Sequence, residues 1–412
     1  MSTGSGKTSI TCAILSRIEN SVQIKIGPDF IDPLIEQYVS GVHGYNIDRW
    51  IQGDQSRDIL SLASSKGNVG VVEGVMGLYD SGIGKEFSTL SYFKRFKIPY
   101  ILVVDMQKWA ESVFHAAKGF ILKNCIGVIL NRYTGERHLK LVEDVFKEHN
   151  VRIIGKIPYD PAFELGERYL GLSLDQSGQR LKNVGKNISQ YIDFSFLEDI
   201  PDVDYKSKRL KKYNGDRTVA VAKDEAFCFY YESSMDFLKE NFKVEFFSPL
   251  RDEIPRDPDF IYIGGGYPEL HPEKLEQSEK LTGFLRDFSR NDGKIYAECG
   301  GTMYLLEKMK VGERTYDMAG IFNGISWMEK RPILNYTKLR TLSKNPMFGR
   351  KQIVYGHEFH YGRIRTDEKL IMKMERGTGI NGEDGLLKNN CLGMYTHVDL
   401  RRYEQDIMTH FT

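Results

Sequence analysis

A cysteine followed by two glycines, in Ile295-Tyr296-Ala297-Glu298-Cys299-Gly300-Gly301-Thr302-Met303, is the pattern in this chain best suited to breaking a covalent bond. The apolar run before Cys299 reads as a strand and the residues after it as a helix start. Cys299 then falls at an elbow whose tight turn exposes Sγ, and a helix N-terminus favours thiolate over thiol. A buried structural thiol is the competing reading. A thiol nucleophile needs a base, which distant sequence can supply. His397, in Met394-Tyr395-Thr396-His397-Val398-Asp399, ends a strand-like run, and Asp399 two residues on is expected to orient its imidazole as the third member of a triad. His357 and His360, in Gly356-His-Glu-Phe-His-Tyr361, are rivals for the base and raise a metal reading. Their spacing on a strand-like segment does not match the helical zinc-protease pattern. The turn Gly264-Gly265-Gly266 after an apolar run can aim backbone N–H groups at an oxyanion, with Gly265, Gly266 and Gly300 as the donors. A plain tight turn is the alternative.

A second chemistry opens the chain. Gly4-Ser5-Gly6-Lys7-Thr8 runs into a helix expected over 10–18. Such a loop wraps nucleotide phosphates with backbone N–H groups, places a lysine on the β and γ phosphates and lends a hydroxyl to Mg²⁺. The expected ligands are ATP and Mg²⁺. The strict spacing would put the first glycine on Met1, and a strand ahead of Met1 is expected to deliver the loop. A chance Gly-Lys-Thr string is the bland alternative. Two strand ends carry acids that could complete the site. Gly27-Pro28-Asp29-Phe30-Ile31-Asp32-Pro33 shows Asp29 and Asp32, either facing the phosphates or forming an Asx turn that caps the next helix. Glu73, in Val71-Val72-Glu73-Gly74, is placed to reach the metal, giving Thr8, Asp29 and Glu73 as its candidate ligands. Asn131, after another apolar run, is a candidate base contact or a polar strand cap.

The elements that must position these residues read as two α/β series. Strands are expected at Val69–Glu73, Tyr100–Asp105 and 126–131, with helical patterns between them, as in a parallel sheet covered on both faces. A charged, broken stretch at 195–217 divides domains at 1–205 and 216–412. The second series has strands at Thr218–Ala222, Lys243–Phe247, Phe260–Ile263 and 294–297, with helices over 231–241 and 272–290, then short strands at 353–355 and 393–397. A length of 412 residues agrees with two cores. Lys plus Arg number 57 against 56 Asp plus Glu, so no net field recommends a nucleic acid or a membrane surface as partner. No stretch approaches the roughly 20 apolar residues of a membrane span. Five cysteines without CxxC spacing, and no signal peptide, point to reduced thiols in the cytoplasm.

The blocks Ile26-Gly-Pro-Asp-Phe-Ile-Asp-Pro33, Asn46-Ile-Asp48 and Val72-Glu-Gly-Val-Met-Gly-Leu-Tyr-Asp80 resemble the signatures of the cobyrinic acid a,c-diamide synthase family. Glu167-Arg168-Tyr169-Leu170-Gly171-Leu172 is similar to a further block, in which Tyr169 stands where that family usually carries His. Gly-His-Glu-Phe-His-Tyr recurs there too, in the glutaminase half. The resemblance implies a phosphate-loop NTPase-like domain of dethiobiotin-synthetase type followed by a class I glutamine amidotransferase-like α/β domain. It implies Cys299 and His397 as nucleophile and base, and ATP-dependent amidation of the a and c carboxylates of cobyrinic acid in cobalamin biosynthesis. Family members commonly carry a second histidine where Asp399 stands. Asp32 and Asp48 are the candidates for steering the substrate. The implied partners are small molecules, with room for a homodimer. A close relative amidates nickel-sirohydrochlorin, and adenosylcobyric acid synthase shares both domain types. A partitioning-type switch ATPase would explain the first half alone.

Overall fold

The computed structural model describes residues 2–164, 174–202 and 213–410, the side chains of 174–178 excepted. The block at 167–172, with Tyr169, and the basic stretch at 206–212 lie outside the described residues. The chain divides into two compact units, Met1–Asp48 with Ser56–Arg209, and Arg49–Gln55 with Leu210–Thr412.

In the first unit, β1 (Ser21–Ile26), β2 (Tyr45–Ile47) and β3 (Val69–Glu73) form a parallel sheet in the order β2-β1-β3. A second parallel sheet joins β4 (Tyr100–Asp105), β5 (Cys125–Tyr133) and β6 (Ile153–Pro158) in sequence order. These runs are apolar because helices cover both faces of such sheets. Helix α1 (Lys7–Arg17) buries Ile10, Ala13 and Leu15. It crosses the helix Leu174–Ser189 so closely that a Cβ on Gly185 would lie 2.8 Å from the Cys12 carbonyl. The expected single sheet is thus two sheets among the described residues. The facing edges of β3 and β4 do not pair, and Val69, Val71, Tyr100 and Leu102 help to line an apolar cavity of about 480 Å³ between them.

The second unit is built on β7 (Thr218–Ala222), β8 (Phe227–Phe229), β9 (Lys243–Phe247), β10 (Phe260–Ile263), β11 (Gly265–Gly266) and β12 (Lys294–Glu298), followed by β13 to β19. Its parallel centre runs β19-β12-β10-β7-β9, with β19 at Cys391–Met394. From β19 the sheet continues, mostly antiparallel, through β18 (Glu383–Lys388), β17 (Leu370–Arg376), β15 (Phe322–Thr341), β13 (Leu306–Val311) and β14 (Arg314–Asp317). The strand β16 (Ile353–Arg365) pairs with β15 along most of its length. The expected helix over 272–290 is two, Pro272–Glu276 and Glu279–Arg290. Ser278 breaks it by leaving the helical region (φ −80, ψ 56) and donating its hydroxyl to the Pro249 carbonyl at 2.6 Å.

At Gly301 two backbones of this unit approach so closely that a Cβ would meet the Ile263 carbonyl oxygen at 2.2 Å. Gly301→Ala is therefore expected to lower the urea midpoint of the second unit by about 1–3 kcal/mol in free energy, as overpacking of a core does. An unchanged midpoint would show that β10 yields without cost.

Candidate active site

Parallel pairing of β12 with β19 sets Glu298 opposite Met394, so the residues that follow each strand emerge at the same end of the sheet. Cys299 stands there at φ 47, ψ −107, a conformation rare for a residue with a side chain and worth about 1–3 kcal/mol of strain. Its N–H is fixed to the Met394 carbonyl at 2.6 Å, and the helix Gly300–Leu305 follows at once. Gly266 packs on this elbow, its N standing 3.2 Å from where a Gly300 Cβ would be. Gly265 packs on the base instead, since a Cβ there would meet His397 Cε1 at 2.3 Å. The structure thus gathers Cys299, His397, Gly265, Gly266 and Gly300 at one strand end. Burial pushes the Cys299 thiol well up, and the Glu269 carboxylate adds to the rise, while the Gly300 N–H pulls it down only in part. The thiol, rather than the thiolate favoured by a helix N-terminus, is then the resting form, and a base must take its proton.

The orienting carboxylate differs from the one expected. His397 Nδ1 lies 3.3 Å from Glu298, which also accepts from the Tyr262 hydroxyl at 3.0 Å, the Tyr296 hydroxyl at 2.8 Å and the Val398 N–H at 3.2 Å. Asp399 turns the other way. Its carboxylate accepts from Gln52 Nε2 at 2.9 Å, from the Ser233 and Ser234 hydroxyls and from the Arg401 N–H. Asp399 is therefore corrected from an orienter of His397 to a brace that binds the segment Arg49–Gln55. In that segment Trp50 donates to the Thr337 carbonyl at 3.0 Å, and Arg402 donates to the Trp50 and Ile51 carbonyls. Of the rival histidines, His357 stacks on His397 with ring centroids 5.0 Å apart and meets the Tyr231 hydroxyl through Nδ1 at 2.9 Å. Burial, then His397, holds its pKa well below the ordinary value, so it stays neutral. His360 binds the Gly362 carbonyl through Nδ1 and stacks on Tyr395. Neither joins a metal-ligating cluster among the described residues.

In the first unit the phosphate loop is held from the tips of strands. Gly4 and Gly6 take positive φ angles of 76° and 88°, as the turn requires. The Arg132 guanidinium donates to the Gly4 carbonyl at 2.8 Å and to Asp105 at 2.9 Å. Asn131 donates its amide N–H to the Ser5 carbonyl at 2.9 Å and fills the space beside Gly6. Of its two expected roles, base contact or strand cap, the structure shows a third, a brace for the loop. Lys7 folds back on the Ser2 carbonyl, and Ser5 does the same through its hydroxyl.

Thr8 donates its hydroxyl to Glu73 at 3.0 Å. Lys25, buried within β1, donates to the same oxygen at 2.9 Å, and is paired also with Asp32. Sequence reasoning missed Lys25, although a lysine inside a continuous apolar run is itself a sign of a buried partner. Burial alone would raise Glu73, but Lys25 and hydrogen bonds from Glu36, Lys25 and Thr8 bring it down to about 2. Burial and the Glu73 charge lift Asp32 to about 7. Glu36, wholly buried beside Glu73, is pushed well up by the same two causes and shares a proton with it. Asp29 accepts from the Ile31 N–H at 2.8 Å and the Asp32 N–H at 3.3 Å, so it is the Asx cap of the helix Ile31–Ser40 and stands 4.0 Å from Lys25. Asp48 is only 1% exposed, which leaves Asp32, half-buried, as the carboxyl better placed to meet a substrate. The residues suit Mg²⁺ in part. Thr8 and Glu73 converge, whereas Asp29 is spent on its cap.

Two domain families match along the chain. Residues 1–172 match the CobQ/CobB/MinD/ParA nucleotide binding domain, and residues 218–404 match the CobB/CobQ-like glutamine amidotransferase domain. A cobyrinate a,c-diamide synthase of Saccharolobus solfataricus is 33% identical over 98% of this chain and 97% of its own. The proteins of that name in Methanosphaera stadtmanae and Methanocaldococcus jannaschii are each 34% identical, over 96% and 95% of this chain and 93% of their own. The chain belongs to the cobyrinate a,c-diamide synthase family. The fold agrees with that membership, a nucleotide-binding α/β unit followed by an amidotransferase α/β unit.

Glu298 and Asp399 are separable by substitution. Glu298→Gln is expected to lower the turnover of glutamine hydrolysis at least about a hundredfold with little change in KM. Asp399→Asn turns an amide N–H toward the donors of Gln52 and Ser233, and is expected to cost about 1–3 kcal/mol of stability. The reverse pattern, a stability loss at Glu298 and a turnover loss at Asp399, would return Asp399 to the triad. Lys25→Met is expected to destabilise the first unit by about 3–5 kcal/mol, because it strands buried carboxylates, and calorimetry would show it.

Proposed function

We propose that this chain hydrolyses glutamine at Cys299 and uses the ammonia, with ATP, to convert the a and c carboxylates of cobyrinic acid into carboxamides. The observation that carries the reading is one chain holding both a Cys-His-Glu constellation on a strained elbow and a phosphate loop whose Thr8 hydroxyl meets Glu73. His397, steadied by Glu298, takes the thiol proton as Sγ attacks the carboxamide of glutamine, and returns it to the departing ammonia. N–H groups of the Gly265-Gly266 turn and of Gly300 face the oxyanion that forms, and water then cleaves the thioester to glutamate. In the first unit, the Gly4–Thr8 loop binds the triphosphate. Mg²⁺ would be held by Thr8 with Glu73, where it neutralises charge on the phosphates. A free carboxylate resists attack by ammonia, so a substrate carboxyl steered by Asp32 is first phosphorylated, and ammonia displaces phosphate. Each turn consumes ATP and glutamine and yields amide, ADP, phosphate and glutamate.

The test is mass spectrometry of macrocycle products after incubation with ATP and glutamine, offering cobyrinic acid and nickel-sirohydrochlorin separately. Two successive acid-to-amide mass shifts on cobyrinic acid are expected, lost in Cys299→Ala and restored to it by ammonia. Amidation of the nickel macrocycle alone would move the chain to that route. Product from neither, with ATP still hydrolysed, would favour a switch ATPase.

A further inference from the structure

One charged group beside Cys299 has no part in the chemistry above. Glu269 lies on the short turn Pro268–Leu270 that follows the glycine triplet. That turn packs on the elbow, since a Cβ on Gly300 would lie 2.8 Å from Pro268 Cδ. The Glu269 carboxylate is the charge felt most strongly at the thiol. Among the described residues, the hydrogen bond it receives comes from its own backbone N–H, and burial pushes its carboxyl up to about 7. A half-buried carboxylate held without a cation is costly unless a ligand supplies one.

A second group in the same neighbourhood is also unpartnered. The Tyr395 hydroxyl is fully buried and has no hydrogen-bond partner among the described residues. It stands 3.3 Å from the position of a Gly362 Cβ, and the charges acting on it include Cys299, Arg363 and Glu269. The turn that carries Glu269 thus packs on the elbow of the thiol, and the orphaned hydroxyl feels the charges of both. A ligand that suits them carries its scissile amide on a short chain that ends in a cation and a hydrogen-bond acceptor, as a free α-amino acid amide does.

We propose that Glu269 receives the α-ammonium group of glutamine, with the Tyr395 hydroxyl donating to the amino acid's polar end, and so selects the free amino acid over other carboxamides. This rests on the glutaminase reading of Cys299. The site needs no further step of chemistry. It aligns the carboxamide by holding the far end of the same molecule.

The experiment compares glutamine with glutaramate, which keeps the carboxamide and lacks the amino group, as substrates for ammonia release by the purified chain. Wild type should favour glutamine in kcat/KM by roughly 30-fold or more, the range set by loss of a desolvated charge pair. Glu269→Gln should raise the KM for glutamine by a comparable factor relative to the KM for glutaramate, and so abolish the discrimination, whatever common change in turnover the lost charge makes at the thiol. Glu269→Asp, which keeps the charge but withdraws it, should fall between. Equilibrium titration of the two ligands into Cys299→Ala, with and without Glu269→Gln, reads the same preference without turnover, so a slow variant does not hide it. Discrimination that survives Glu269→Gln would overturn the proposal and leave the carboxylate as a tuner of the thiol. A wild type that releases no ammonia from glutamine would overturn the glutaminase reading and the proposal with it.

Discussion

The second unit depends on one buried carboxylate. Glu298 is 1% exposed and ends β12, where its oxygens collect two tyrosine hydroxyls, a backbone N–H and the His397 ring. Leaving such a group unsatisfied would cost several kcal/mol, so its partners are compelled to converge. That convergence draws β10, through Tyr262, and the segment after β19, through Val398 and His397, onto the strand that delivers Cys299. The glycines then follow from crowding. Gly265, Gly300 and Gly301 each occupy a position where a side chain would displace His397, Pro268 or the β10 backbone. The proposed nucleophile, the proposed base and the turn expected to face the oxyanion are held together less by contacts with one another than by a shared obligation to one carboxylate.

The first unit repeats the principle with its sign balanced locally. Glu73 ends β3 as Glu298 ends β12, but an ammonium, Lys25, is buried beside it, and Glu36 contributes a proton. The hydroxyl of Thr8 completes the set. A site proposed to receive phosphates and Mg²⁺ is better served by charges already compensated, because a bare cluster of acids would repel the nucleotide. Lys25 therefore holds Glu73 anionic while no cation is bound. The loop itself is braced through its carbonyls, by Asn131 and Arg132, which leaves its N–H groups free for anionic oxygens.

Much of this architecture is readable in the sequence because buried parallel strands are written as continuous apolar runs. Val69–Glu73, Tyr100–Asp105, Thr218–Ala222, Lys243–Phe247 and Phe260–Ile263 have in the structure the limits expected of them. Cys299 was legible because a cysteine before two glycines has few structural uses, and the Gly4–Thr8 loop because backbone recognition of phosphate imposes a spacing. Glu298 was hidden by its neighbour, since an acid next to a nucleophile reads as part of the elbow and its direction is set by the β10 and β19 partners. Asp399 misled for the opposite reason. Proximity along the chain suggested a triad, but in an extended segment residues two apart share a side only where the backbone stays regular, and here the 3₁₀ turn Leu400–Tyr403 begins with Asp399 as its cap.

The segment Arg49–Gln55 was the least legible element, and the reason is instructive. Its residues sit within the first series of strands and helices, between β2 and the helix Ser56–Ser64, yet they pack in the second unit. Local pattern cannot reveal this, because Trp50 and Gln52 look like an ordinary half-buried helical turn. What fixes them is a set of partners at positions 337, 399 and 402, all far along the chain. The chain immediately before the segment carries Asn46, whose amide binds the Gly27 and Asp29 carbonyls beside the acids of the phosphate site. Asp399, which failed as a triad member, is thus the anchor of this segment within the second unit. An acid two residues from a histidine can belong to the packing of a distant segment and not to the histidine's chemistry.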